Sequence, residues 1–97
     1  ASKETMVVVD LLKQAGLLTE DDVQTVLKIT RGKGDLDQVL VAAQKIDKST
    51  LDAAKTCWPF VRDGRMKPEQ AIIALHYCQR MRVSFAEAVR DMGWEMP

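Results

Sequence analysis

The chain is poor in residues for redox or metal chemistry: 97 residues hold two cysteines, Cys57 and Cys78, and one histidine, His76. Two cysteines cannot build the disulfide framework on which small secreted domains rely. Both are expected as reduced, mostly buried thiols of a cytoplasmic protein. Neither sign of charge is in excess, since Lys plus Arg is 14 and Asp plus Glu is 14. That balance excludes a general nucleic-acid coat, which needs a surplus of cations to release counterions. No apolar run comes near the ~20 residues that span a bilayer, and no basic start leads into a long apolar stretch. Neither membrane insertion nor a secretory leader is therefore expected.

What remains is ordinary for a folded domain. Apolar residues are 46% and charged residues 29% of the chain, enough for one modest core and too few charges for disorder. The length fits a single domain over residues 1–97. Helical periodicity dominates. Val8, Leu11, Leu12 and Ala15 follow the i, i+3, i+4, i+7 rule, as do Val23, Val26, Leu27 and Thr30. Gly16 offers a stop to the first helix, and Thr19 with Asp22 begins a capping box for the second. A third helix should start near Asp35 and turn Leu36, Val39, Leu40 and Ala43 inward. A fourth should start near Asp47 or Ser49 and carry Leu51, Ala54 and Cys57.

Pro59 then interrupts the pattern. The residue before proline is pushed from helical geometry, so Trp58-Pro59-Phe60-Val61 reads as extended. Pro68 suits a first helical position and predicts a long helix over 68–81, with Ala71, Ile72, Leu75, Cys78 and Gln79 inward. Ser84 and Glu87 make the clearest capping box, for a last helix that stops at Gly93. The expected fold is all-α: a compact bundle of about six short helices arranged as repeated helical hairpins.

A recurring device joins these helices. An apolar loop residue (Leu18, Ile46, Met66) is followed by a cap position, polar residues and an apolar anchor (Val23, Leu51, Ala71). A further copy begins at Met92-Gly93-Trp94, and the pattern divides the chain into repeats at 7–57 and 58–97. Each apolar loop residue would pin its loop to the core while the polar residue caps the next helix.

These residues resemble a known family. Leu11-Leu12, Ala15-Gly16-Leu17-Leu18-Thr19-Glu20, Val23 and Val26-Leu27 come first. A Gly-rich spacer, Leu36 and Val39-Leu40-Val41 follow, then Trp58-Pro59-Phe60-Val61. The pattern is similar to the N-terminal helical, MshEN-like domain of type II secretion and type IV pilus assembly ATPases. The likeness covers residues 7–61 well and 62–97 loosely. It implies a module that precedes a motor and serves docking and regulation. Some members bind cyclic di-GMP through motifs that open Arg-Leu-Gly. The matching positions here are Val7-Val8-Val9, Asp35-Leu36-Asp37 and Ser84-Phe85-Ala86, so no arginine stands where the dinucleotide would be gripped.

Chemistry-bearing constellations are weak. His76 and Cys78 lie two apart on a helix and so point to different faces. With Cys57 they match no recognised zinc spacing. Arg31-Gly32-Lys33-Gly34 has glycines without P-loop or dinucleotide spacing. No nucleophile, base and orienting group come together in the pattern, so neither an enzyme nor a cofactor is expected. Five of the six arginines lie from Arg62 onward. Arg62, Arg65, Lys67, Arg80 and Arg82 would form one basic patch if the ends of the long helix approach the loop before it. Trp94, beyond the last capping glycine, is expected at a contact surface.

The preferred function is a non-catalytic protein-interaction or regulatory domain with a protein partner, working through Arg62, Arg65, Arg80, Arg82 and Trp94. The first alternative is a cyclic-dinucleotide receptor that uses Arg65 or Arg80. The second is a small helix-turn-helix-like DNA-binding domain built on Arg80-Met81-Arg82-Val83-Ser84. Its second helix would open Ser84-Phe85-Ala86-Glu87, which sets a carboxylate toward the phosphates and disfavours nucleic acid as a partner.

Overall fold

The computed structural model describes residues 2–97 and contains six α-helices, with no strand among the described residues. They are α1 (Lys3–Gln14), α2 (Glu20–Thr30), α3 (Leu36–Ala42), α4 (Lys48–Arg62), α5 (Pro68–Met81) and α6 (Phe85–Asp91). The expected all-α bundle is the fold of this chain.

Cap chemistry sets most of the boundaries. Thr19 Oγ1 accepts from the Asp22 N–H at 3.0 Å and the Thr19 N–H donates back to Asp22 Oδ2 at 3.1 Å, a complete capping box. Ser84 Oγ accepts from the Glu87 N–H at 3.1 Å, but the Ser84 hydroxyl, not its backbone N–H, meets the Glu87 carboxylate. That box is only half formed. At their other ends all six helices share one motif. α2 and α5 form it through left-handed Arg31 and Arg82, and the N–H groups of Gly32 and Val83 reach the Leu27 and Cys78 carbonyls. α1, α3, α4 and α6 form it in the same way. A left-handed residue (Gly16, Gln44, Gly64, Gly93) follows the helix. The next N–H then reaches back to close the last turn: Leu17 to Leu12, Lys45 to Leu40, Arg65 to Phe60 and Trp94 to Val89. Leu18, Ile46 and Met66 come next and are buried, as the loop pattern requires.

In chain order the helices form two three-helix units, α1–α3 and α4–α6. Residues 57 and 58 both lie within α4. Trp58-Pro59-Phe60-Val61 is helical, not extended. Proline removes one helical hydrogen bond, to the Lys55 carbonyl, but burial of Cys57 and stacking of Phe60 on Phe85, centroids 6.0 Å apart, hold the last turn in place. Ala43 and Gln79 are exposed rather than inward.

The core runs through both units. Leu12, Leu40, Leu75, Cys57 and Cys78 are wholly buried, and α4 lies along α5 in the most extensive helix pair. α1 crosses α4 and joins the units. Two polar contacts reinforce that joint. Lys55 Nζ on α4 meets Asp37 Oδ2 on α3 at 2.7 Å, and His76 on α5 hydrogen-bonds the Ala15 carbonyl at the end of α1.

Candidate functional site

The crossing of α1 and α4 leaves a groove of about 740 Å³. α1 lines it with Lys3, Val7, Asp10, Leu11 and Gln14, positions that share one helical face. α4 adds Trp58, Val61 and Arg62 from its last turn. The floor is apolar, made by Val7, Leu11, Val61 and the Trp58 ring. Val7 is more than a third exposed although its neighbours Val8 and Val9 are wholly buried.

Arg62 forms one wall. Its guanidinium carbon lies 4.7 Å from the centroid of the Trp58 ring, a cation–π contact. Its Nε donates to Asp63 Oδ1 at 3.0 Å. That hydrogen bond holds the guanidinium pKa above its ordinary value and the Asp63 carboxyl below its own. The Trp58 indole Nε1 is buried and has no hydrogen-bond partner.

A smaller, polar cleft of about 320 Å³ lies around the Asp37–Lys55 pair, with Asp35 and Glu4 on its walls. Burial disfavours the Asp37 carboxylate, yet the Lys55 hydrogen bond and backbone N–H groups outweigh burial and lower its pKa overall.

The two cysteines and the histidine lie elsewhere. Burial pushes the Cys57 thiol up to about 12 and Cys78 to about 11, so both stay protonated and unreactive at neutral pH. The Cys57 thiol lies 3.9 Å from the Met66 sulfur, inside the core. His76 is turned away from Cys78 toward the Ala15 carbonyl, which can only accept, so the ring nitrogen there must donate. Among the described residues, no group of three or more His, Cys, Asp or Glu side chains could hold a metal ion.

The five residues singled out in the sequence do not converge. Arg62 ends α4 and Arg65 lies in the loop that leads into α5, whereas Arg80 and Arg82 lie at the far end of α5. A 14-residue helix separates them by about 20 Å. Arg62 alone reaches the groove. Trp94 is half-buried against the core, and its backbone N–H donates to the Val89 carbonyl. Sequence reading missed Val7 and Trp58 as groove residues. Their one visible signal is that apolar residues at 6–9 outnumber what a single helical stripe can bury.

Comparison with protein-family models, with curated proteins and with solved structures finds no match to this chain. No helix among the described residues is long and apolar enough to cross a membrane.

Proposed function

We propose that the chain is a non-catalytic protein-interaction and regulatory module, similar in role to the N-terminal domains of secretion and pilus assembly ATPases. Its docking site is the α1–α4 groove, and the occupant is the apolar face of a partner helix. The observation that carries this reading is the groove floor, where Val7, Leu11, Val61 and Trp58 offer continuous apolar surface beside the Arg62 cation. A helix seats apolar anchors at i, i+3 or i+4 and i+7 in such a groove. Carboxylates on the α1 side and a guanidinium on the α4 side favour a partner with both charge signs flanking those anchors.

A photo-crosslinking residue at position 7 tests this in cells that express the full chain. One discrete protein adduct is expected, lost in Trp58→Ala and Leu11→Glu and kept in Ile73→Glu, whose site lies on the exposed side of α5. Adducts that ignore the groove substitutions overturn the reading. Calorimetry with cyclic di-GMP, with GMP as control, separates it from the receptor alternative. No heat is expected, and saturable heat from the dinucleotide alone would replace docking with ligand sensing.

A further inference from the structure

Two corners of the molecule, one per unit, repeat a composition that the fold does not require. α2 ends on Arg31 at φ 55° and ψ 34°, and α5 ends on Arg82 at φ 56° and ψ 48°. This left-handed backbone is strained for any residue with a Cβ, and glycine is its usual occupant. The last turn of each helix also turns an apolar side chain away from the core. Ile29 is 75% exposed, more than any other large apolar residue described, and Met81 is 53% exposed. Cations flank both. Lys28, Arg31 and Lys33 surround Ile29, and Arg80 and Arg82 surround Met81. All five are exposed, and none joins an ion pair among the described residues.

We propose that the α2–α3 corner is a contact point for an anionic lipid surface, and that the α5–α6 corner repeats the device. Ile29 enters the boundary between headgroups and acyl chains, while Lys28, Arg31 and Lys33 meet the lipid phosphates. Charge complementarity carries the choice of partner. Each cation near an anionic leaflet adds attraction, and an apolar residue among them adds burial that a purely charged ligand cannot supply. The corner lies outside both clefts described above. It also has no aromatic ring on which a nucleic-acid base could stack. The acids nearest in sequence are few: Asp35 follows the first corner, and Glu87 at the second already meets Ser84. The proposal is independent of the α1–α4 groove.

Flotation of the full chain with phosphatidylcholine vesicles, with and without phosphatidylserine, tests it. Binding is expected only with phosphatidylserine. It should weaken about tenfold or more in the combined variant Lys28→Gln, Arg31→Gln, Lys33→Gln, and severalfold in Ile29→Asn. Arg31→Gly separates a functional from a structural role. Relief of the left-handed strain should raise Tm, while loss of the cation weakens vesicle binding. Equal binding to both vesicle types, binding to neither, or a combined variant that floats like the wild type would overturn the proposal. So would binding to duplex DNA as tight as to the anionic vesicles at the same salt, which would make the corner a general polyanion site.

Discussion

The two three-helix units share their caps and their order of helices but not their packing. In the second, α4 and α5 form the most extensive helix pair and bury small residues, Ala53, Ala54 and Cys57 on α4 and Ala71, Ala74 and Cys78 on α5, all with 2% or less of their surface exposed. Small side chains let the two backbones approach and leave Leu75 and Phe85 to fill the remaining space. In the first, α2 rests chiefly on α3, and Ile29 stays in solvent. The same helix order therefore yields a second, sealed unit with a close α4–α5 pair and a looser first, open unit, although Ile73 and Met81 of α5 also stay in solvent. The sealed unit supplies stability. The open unit supplies surfaces, since α1 walls the groove and α2 ends in the basic corner.

The largest expected effect probes that contrast directly. Leu75→Ala in α5 and Leu40→Ala in α3 remove the same atoms from wholly buried sites. The sealed unit has little room to relax, so Leu75→Ala should cost about 4 kcal/mol in urea unfolding. The open unit can collapse around the gap, so Leu40→Ala should cost about 2 kcal/mol. Equal losses would break the comparison.

Next in size is the ionic joint between the units. Lys55→Ala leaves the Asp37 carboxylate, 8% exposed, without its partner. The cost should be about 1–2 kcal/mol at neutral pH, less than for a fully buried pair because Lys55 keeps 40% of its side-chain surface in water. Its pH dependence has a definite sign. The folded Asp37 pKa is lowered, so its contribution is complete above the ordinary carboxyl value of 3.8 and fades as pH falls through the lower folded value. The Lys55 pKa is raised by the Asp37 hydrogen bond, so that side of the pair is lost only as pH rises beyond 10.5. Urea curves of wild type and variant should converge in strong acid, stay apart through neutral pH and draw together again only above pH 10.5.

Thr50 sharpens the view of α4, the longest helix. Its hydroxyl is buried without a partner, and the helix has no side-chain cap at Asp47. Thr50→Val removes the orphaned hydroxyl at nearly constant shape and should raise stability by about 1 kcal/mol. A loss on thermal unfolding would mean that the hydroxyl is satisfied in solution.

Local signals were legible where local chemistry decides. Thr19, Asp22, Gly16, Pro68 and Gly93 marked helix ends because caps act within four residues. Trp58-Pro59 misled because the preference of a residue before proline is a backbone bias, and packing of Cys57 and Phe60 outweighs it. The arginines could not be placed from spacing alone, since α5 itself holds Arg65 and Arg80 apart. The groove was invisible for a related reason. Val7 and Trp58 are about 50 positions apart in sequence, and only the crossing of α1 over α4 brings them together.

The smallest effects compare the two caps. Both Thr19 and Ser84 receive the N–H three residues on, at nearly the same distance. Only Thr19 has the return bond, in which Asp22 accepts from the cap N–H. Thr19→Ala should cost about 1 kcal/mol and Ser84→Ala about half that, measured by thermal unfolding. Hydrogen exchange adds the spatial test. α2 is held mainly by α3, so loss of Thr19 should speed exchange across α2 and leave α5 protected. The contacts of α6 with both α4 and α5 should confine the Ser84→Ala effect to its first turn. Fraying that spread into α5 would show that the sealed unit depends on its cap as much as the open one does.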